Sequence, residues 1–359
     1  MILVTGGAGY VGSLLVPELL ALGNSVRVVD TLWFGNSLAS HPKLTLIQAD
    51  VRACDPAWLD GVEAVIHLAG LSNDPTADFS PRLNTESNVL ATRQLAELVA
   101  RRAAAEGRVI RFLFASSCSV YHTSTPEKAI DIQAKDEGMQ VAPTANYSRA
   151  KRLAEIELLK LADTYPEFCP VLLRKGTLFG LAPRMRFDLV INVFTLNAWH
   201  LRELTVYGSG EAWRPLLHVR EAVDAYIYCL VSPPEKLRAQ IFNVLHKNYR
   251  LLELAHWVAE ILEEHRRVSV RVKRDRSMQG GARSYYVLGD KIHDQMGFKT
   301  ERGATQAVLE IWDALEAGQF GPAPQDDPRY FNIRWLRLNA PAAEPAVAFT
   351  AATPGTSAR

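Results

Sequence analysis

Charge of either sign is not in excess here. Forty Lys and Arg stand against thirty-nine Asp and Glu, giving a formal net charge of +1 over 359 residues. That balance supplies no general attraction for nucleic acid or an anionic membrane, so any anion recognition has to be local. Cysteine is scarce: Cys54, Cys118, Cys169 and Cys229 are scattered without CxxC spacing. This argues against a metal knuckle and a disulfide framework, and no metal is expected. No apolar run approaches the roughly 18 to 20 residues that span a bilayer. Neither an internal repeat nor a signal peptide is visible, and "MILVTGG" reads directly as a strand entering a turn, so no leader is expected. These absences point to a soluble protein of the reducing cytoplasm. With 48% hydrophobic residues, the chain is long enough for one large α/β domain or two unequal lobes.

What is present first is an alternation. Residues 2–5, 25–30, 44–50, 64–69 and 109–116 are short, nearly continuous apolar runs, as expected of strands in a parallel sheet covered on both faces. Helical patterns over 10–22, 84–105 and 145–164, with a shorter one near 56–60, separate them. The expected class is α/β, a Rossmann-like doubly wound parallel sheet with helices on both faces, over residues 1–175 and with contributions from later segments. Beyond 175, proline and glycine interrupt the pattern. Helices near 188–199, 218–230, 251–264 and 303–317, with strands near 204–207, 240–244 and 268–272, predict a smaller mixed α/β substrate lobe over 176–335. Residues 336–359, rich in Ala, Pro and Thr, predict a disordered tail.

In "VTGGAGYVGS", Gly6, Gly9 and Gly12 lie between the first strand and a helix beginning near Tyr10. Glycines there permit a tight turn, close approach of backbone to a pyrophosphate, and a helix N-terminus facing the phosphates. Asp30 ends the second strand 18 residues after Gly12. A carboxylate there accepts hydrogen bonds from adenosine ribose and repels a 2′-phosphate, so NAD is favoured over NADP. Asp50, in "ADVR", is placed to meet the adenine amino group, or simply starts a turn. Further on, "NYSRAK" sets Tyr147 and Lys151 four apart on one helix face. A phenol is a poor base at neutral pH. A lysine ammonium one turn away is expected to stabilise the phenolate and let Tyr147 take a proton from a sugar hydroxyl.

Together with "HLAG" (67–70), "NVLAT" (88–92), "SSCSVY" (116–121), "LRKGTLFG" (173–180) and "VYGSGEAWRPLLHV" (206–219), these stretches resemble the extended short-chain dehydrogenase/reductase family. The resemblance is to its nucleotide-sugar epimerase/dehydratase branch, and it runs in order across almost all of residues 1–300. It implies that Gly6, Gly9, Tyr10 and Val11 form the pyrophosphate turn and that Asp30 binds the ribose. Asp50 and Val51 would frame adenine, Leu68, Ala69 and Gly70 would line the cofactor channel, and Asn88 would be the buried helix asparagine. Ser117 falls on the catalytic Ser/Thr, completing a Ser117–Tyr147–Lys151 set. Arg214 matches the arginine on the sugar-nucleotide diphosphate, Arg283 resembles a second phosphate or ribose contact, and Asn192 would contact the substrate. The segment 183–192 would roof the sugar nucleotide, or its arginines are solvated surface. Dimerisation through the helices near 84–105 and 145–164, as a four-helix bundle, is also implied. His122 and Ala91 replace residues that are commonly glycine.

The branch begins by oxidising a sugar hydroxyl, usually at C4. A 4,6-dehydratase of this kind follows its catalytic threonine with an Asp–Glu pair; here those positions are Cys118 and Ser119. A thiol and a hydroxyl do not simply replace two carboxylates, so ordinary 4,6-dehydration is disfavoured. A 4-epimerase needs only Ser117, Tyr147 and Lys151. The expectation is therefore an NAD-dependent nucleotide-sugar epimerase acting on a UDP-, dTDP-, GDP- or CDP-sugar. A 4-keto-sugar reductase, an atypical dehydratase using Cys118, and a non-catalytic dinucleotide sensor stay open.

Overall fold

The apolar runs of the first half become the centre of one parallel sheet. The computed structural model describes residues 1–122, 133–277 and 284–339. Its strands are β1 Ile2–Thr5, β2 Val26–Asp30, β3 Leu44–Gln48, β4 Ala64–His67, β5 Ile110–Ser117, β6 Phe168–Lys175, β7 Thr177–Phe179, β8 Glu203–Tyr207, β9 Trp213–His218, β10 Gln240–Val244, β11 Lys247–Arg250 and β12 Arg271–Asp275. Seven of them form the main sheet in the order β10-β6-β5-β4-β1-β2-β3, every pair parallel. Helices cover both faces. Gly12–Ala21 and Val219–Val231 pack with Val4, Val28, Leu113 and Leu173 on one. Ala91–Glu106 and Asn146–Thr164 pack with Leu3, Val65, Phe112, Phe114 and Leu172 on the other. This is the Rossmann-like, doubly wound arrangement expected from the sequence.

Strand order reverses between β1 and β4. The connections from these two strands leave on opposite faces, which opens a crevice at their C-terminal ends where such sheets bind ligands. A smaller group packs beside that crevice. Its core holds Phe179, Ile191, Leu204, Leu254, Val258, Val308 and Trp312, and its strands pair as β11-β9-β7 and β12-β8.

Three expectations need correction. The eight-residue strand β6, fully buried, was not read from the sequence, because Pro170 stands inside it and proline cannot donate to a ladder. The helix expected over 84–105 is three pieces: Pro81–Thr85, a wide π turn over Glu86–Leu90, then Ala91–Glu106. Residues 336–339, placed in the tail, complete the helix Asn332–Asn339; the rest of that stretch lies outside the described residues. Among the described residues no helix is long and apolar enough to cross a membrane, and no cluster of His, Cys, Asp and Glu is arranged to hold a metal ion.

Candidate active site

A cleft of about 490 Å3 runs along the C-terminal ends of β1, β2, β4, β5 and β6. Gly6, Gly9, Tyr10, Val11, Asp30, Asp50, Val51, Leu68, Ala69, Gly70, Ser117, Tyr147, Lys151 and Arg214 all line it. The chain needs glycine at two points on its wall. Gly6 has φ +72°, and a Cβ there would lie 2.7 Å from the Ala69 nitrogen. Gly70 has φ +138°, and a Cβ would strike Asn88 Oδ1 at 2.0 Å. The helix Gly12–Ala21 starts at Val11 with no side-chain cap, so its first-turn N–H groups are left for whatever fills the cleft. At the other side of that turn, Asp30 accepts from the backbone nitrogens of Ala8 (2.9 Å) and Leu32 (2.8 Å). Those bonds fix its carboxylate on the cleft, where burial pushes its pKa up. An uncapped helix start beside a glycine turn, with an oriented carboxylate one strand away, fits an adenine dinucleotide.

Asp50 also faces the cleft, but its oxygens are engaged by Arg52: Nε at 3.0 Å, Nη2 at 2.8 Å and the backbone nitrogen at 2.9 Å. Arg52 in turn bonds Glu86 at 2.8 Å.

At the far end Ser117 and Tyr147 face the cleft together, and Ser117 Oγ accepts from the Ser119 nitrogen at 3.2 Å. Lys151 Nζ stands 5.8 Å from the Tyr147 ring centroid and 4.9 Å from that of Phe114. The expected lowering of the Tyr147 pKa by Lys151 is not what the protein alone shows. Burial dominates and pushes the phenol up to about 12; Arg186 and the Ser117 hydrogen bond pull the other way. The same burial brings Lys151 down to about 8, opposed by Glu155.

Glu155 is a residue the sequence reading missed. It lies four beyond Lys151 on the same helix face and is wholly buried. Its carboxylate accepts from Ser116 Oγ at 2.6 Å and from Arg174 Nε and Nη2 at 2.8 and 2.7 Å. Arg174 also donates to the Tyr121 hydroxyl, which donates to Asn243 Oδ1. This network ties the catalytic-type helix to β5, β6 and β10 behind the reactive end.

Cys118 turns away from the cleft. Its Sγ lies 3.1 Å from the Arg174 carbonyl oxygen, and burial pushes the thiol far above its ordinary pKa. Ser119 does line the cleft, and its buried Oγ has no partner. His67, in "HLAG", is a core residue held between Thr5 (2.7 Å) and Thr92 (2.9 Å), with burial lowering its pKa to about 3.

Two sequence-predicted contacts do not reach the cleft. Asn88 sits behind Gly70, donating to Leu71 O and Asn84 Oδ1. Asn192 is fully buried: it accepts from the Gly180 nitrogen and donates to the Tyr10 hydroxyl and to Arg186 O. It braces the wall rather than meeting a substrate. Tyr10 itself donates to Gly180 O at 2.6 Å, which ties the glycine turn to the smaller lobe. Arg214 is held by Trp213 O at 2.8 Å and lies over the Tyr285 ring. Arg283 lies outside the described residues.

The reading of the 183–192 arginines as solvated surface is overturned. Arg184 and Arg186 are each only 6% exposed and both line the cleft. Arg186 pairs with Asp188 through two 2.9 Å bonds and donates to Ser72 Oγ. Trp33, Phe34, Asn332 and Leu336 complete the outer wall. No periodicity marks these six residues, since three separate segments bring them together.

The family model described as "NAD dependent epimerase/dehydratase family" matches residues 2–244. UDP-glucuronic acid decarboxylase 1 of Xenopus tropicalis is 31% identical over 250 residues, 66% of this chain and 55% of that protein. The chain thus spans about half the length of that relative. UDP-glucose 4-epimerase of Neisseria gonorrhoeae is 25% identical over 340 residues, 87% of this chain and 96% of that one. Among solved structures, DesIV, the dTDP-glucose 4,6-dehydratase of Streptomyces venezuelae with NAD and TYD bound, superposes with a TM-score of 0.74 at 21% identity, covering 89% of this chain and 98% of its own. The chain belongs to the NAD-dependent epimerase/dehydratase family, with NAD as its cofactor.

Proposed function

We propose that this protein is an NAD-dependent nucleotide-sugar epimerase that passes through a 4-keto sugar. The observation that carries the reading is the reactive end: Ser117 and Tyr147 on one cleft wall, Lys151 close by, and a Cys118 turned into the core where a dehydratase would need an acid. Tyr147 takes the proton of the C4 hydroxyl, and Ser117 holds that hydroxyl in line. Tyr147 acts as the phenolate in that step, and Lys151, cationic below about pH 8, stabilises this phenolate before it accepts the proton. NAD, when bound in the cleft, would supply the hydride chemistry at C4. The ketone then presents its other face, and Tyr147 gives the proton back. Arg214 is the fork for the substrate diphosphate. The working unit is a homodimer through the helices Ala91–Glu106 and Asn146–Thr164; Leu90, at the end of the π turn that leads into the first, and Leu153, on the second, are 38% and 48% exposed. The protein works in the cytoplasm, on sugars linked to UDP, dTDP, GDP or CDP.

Incubation with such a panel of nucleotide sugars and no added cofactor, followed by NMR, tests the reading. Inversion at C4 without net cofactor use is expected. Activity that needs a 4-keto sugar together with reduced cofactor would instead identify a reductase. A second reading, loss of a C6 carboxylate after C4 oxidation, is supported by the decarboxylase relatives and by the buried cation Arg186 near Tyr147. A 4-ketone makes that carboxylate a β-keto acid, so CO2 can leave as an enolate forms, and the enolate takes a proton at C5 from solvent. UDP-glucuronic acid in the panel separates the two, since release of CO2 supports only the second.

A further inference from the structure

Among the described residues, Arg184 is a buried cation whose only side-chain hydrogen-bond partner is neutral. Its Nη2 donates to Asn332 Oδ1 at 2.6 Å, while its buried Nε has no partner among them. No carboxylate of the described residues lies within ion-pair distance of it; Asp30 and Asp188 act on it only from farther away. A guanidinium 6% exposed without a countercharge is costly and implies an anion in the space it faces. That space is the cofactor end of the cleft. The Arg184 backbone nitrogen donates to Ser13 Oγ, in the first turn of the helix that follows the glycine turn. The guanidinium lies 3.9 Å from the centroid of Phe34, four residues past Asp30.

The C-terminal helix holds this arrangement from outside. Asn332 accepts from Arg184 and donates to Ser72 Oγ, and Trp335 stacks on Trp33 with centroids 5.1 Å apart and ring planes at 17°. It also tilts against Phe34 at 5.3 Å. We propose that Arg184 is the countercharge for the diphosphate of the bound dinucleotide, presented by a wall that the helix Asn332–Asn339 completes through Asn332 and Trp335. The glycine turn would then meet the diphosphate with N–H groups from one side and Arg184 with a full charge from the other. The proposal rests on NAD as the cofactor, not on which reaction follows.

Exchange of bound cofactor in the purified holoenzyme against isotopically labelled NAD tests it. Adenosine, ADP-ribose and UDP serve as competitors, with the wild type beside Arg184→Met and Trp335→Ala. Arg184→Met is expected to exchange label about 10- to 100-fold faster and to lose competition by ADP-ribose by a similar factor. Adenosine, which carries no phosphate, is expected to compete as in the wild type. Trp335→Ala is expected to speed exchange in the same direction. Unchanged exchange in Arg184→Met overturns the proposal. So does an equal loss for adenosine and ADP-ribose, since Arg184 would then only shape the wall. A loss confined to UDP would assign Arg184 to the substrate and overturn it as well. If Arg184→Met does not fold, Arg184→Gln, which keeps a hydrogen bond for Asn332, is read by the same outcomes.

Discussion

Lys151 shows chemistry and stability pulling apart within one side chain. Burial lowers its pKa from 10.5 to about 8, so the folded protein gives up this proton earlier than the unfolded chain does. Between about pH 8 and 10.5 the unfolded state binds more protons, and this group's contribution to stability rises with pH. Below about 8 the whole cost of the buried ammonium is present. Lys151→Met removes that cost. Its melting temperature at pH 7, measured by calorimetry, is expected to equal or exceed that of the wild type while turnover is lost; a fall of several degrees would refute this. For the wild type, kcat/KM is expected to drop as pH rises through about 8 and the cation disappears. Lys151→Arg, which stays protonated, should move that limb upward. At this scale much of the cleft was legible: the glycine turn, Asp30, Ser117, Tyr147, Lys151 and Arg214 follow from local spacing and resemblance. Arg184 and Arg186 were left between a roof and a solvated surface, which only tertiary packing decides, and nothing local marks Asn332 and Leu336 as cleft residues. Glu155 was readable in principle, as the next residue on the Tyr147–Lys151 face.

Between elements, the pair Glu155–Arg174 fastens the helix Asn146–Thr164 to β6 with both side chains almost wholly buried. Removing one partner leaves the other charge stranded, whereas replacing both with apolar groups does not. Glu155→Ala is therefore expected to destabilise the fold by about 3–5 kcal/mol in urea unfolding. The double variant Glu155→Leu with Arg174→Met should recover most of that loss. A double variant no better than Glu155→Ala would mean that Ser116 and Tyr121 carry the network. The strand at the centre of this junction was the one strand of the main sheet that the sequence concealed; β7, β9 and β11, outside that sheet, were not read from it either. Pro170 has no N–H for a ladder, and β6 accommodates it between β5 and β10. The π turn at Glu86–Leu90 escaped for a different reason. Its apolar spacing is still helical, and only the seating of Asn88 behind Gly70 reveals the wider turn.

For the molecule as a whole, the doubly wound sheet was legible because long runs such as 110–117 and 64–67 carry their own period. The return of β10 to the edge of the main sheet depends on pairing across 69 positions, as of Val171 with Gln240, and no local pattern announces that partner. Association is tested at this scale too. Leu153→Glu places a charge on the outer face of the helix Asn146–Thr164, and light scattering is expected to show a shift from dimer toward monomer, with melting of the monomer little changed. A dimer that persists unaltered would move the interface elsewhere. One contact reaches across most of the sequence: Trp33 stacks on Trp335, 302 positions later. The dinucleotide motifs near Gly6 and Asp30 therefore build one bank of a trough whose other bank is remote in sequence, so a fragment that keeps every recognisable motif but lacks residues 332–336 is expected to bind the dinucleotide more weakly than the full chain, measured by calorimetric titration.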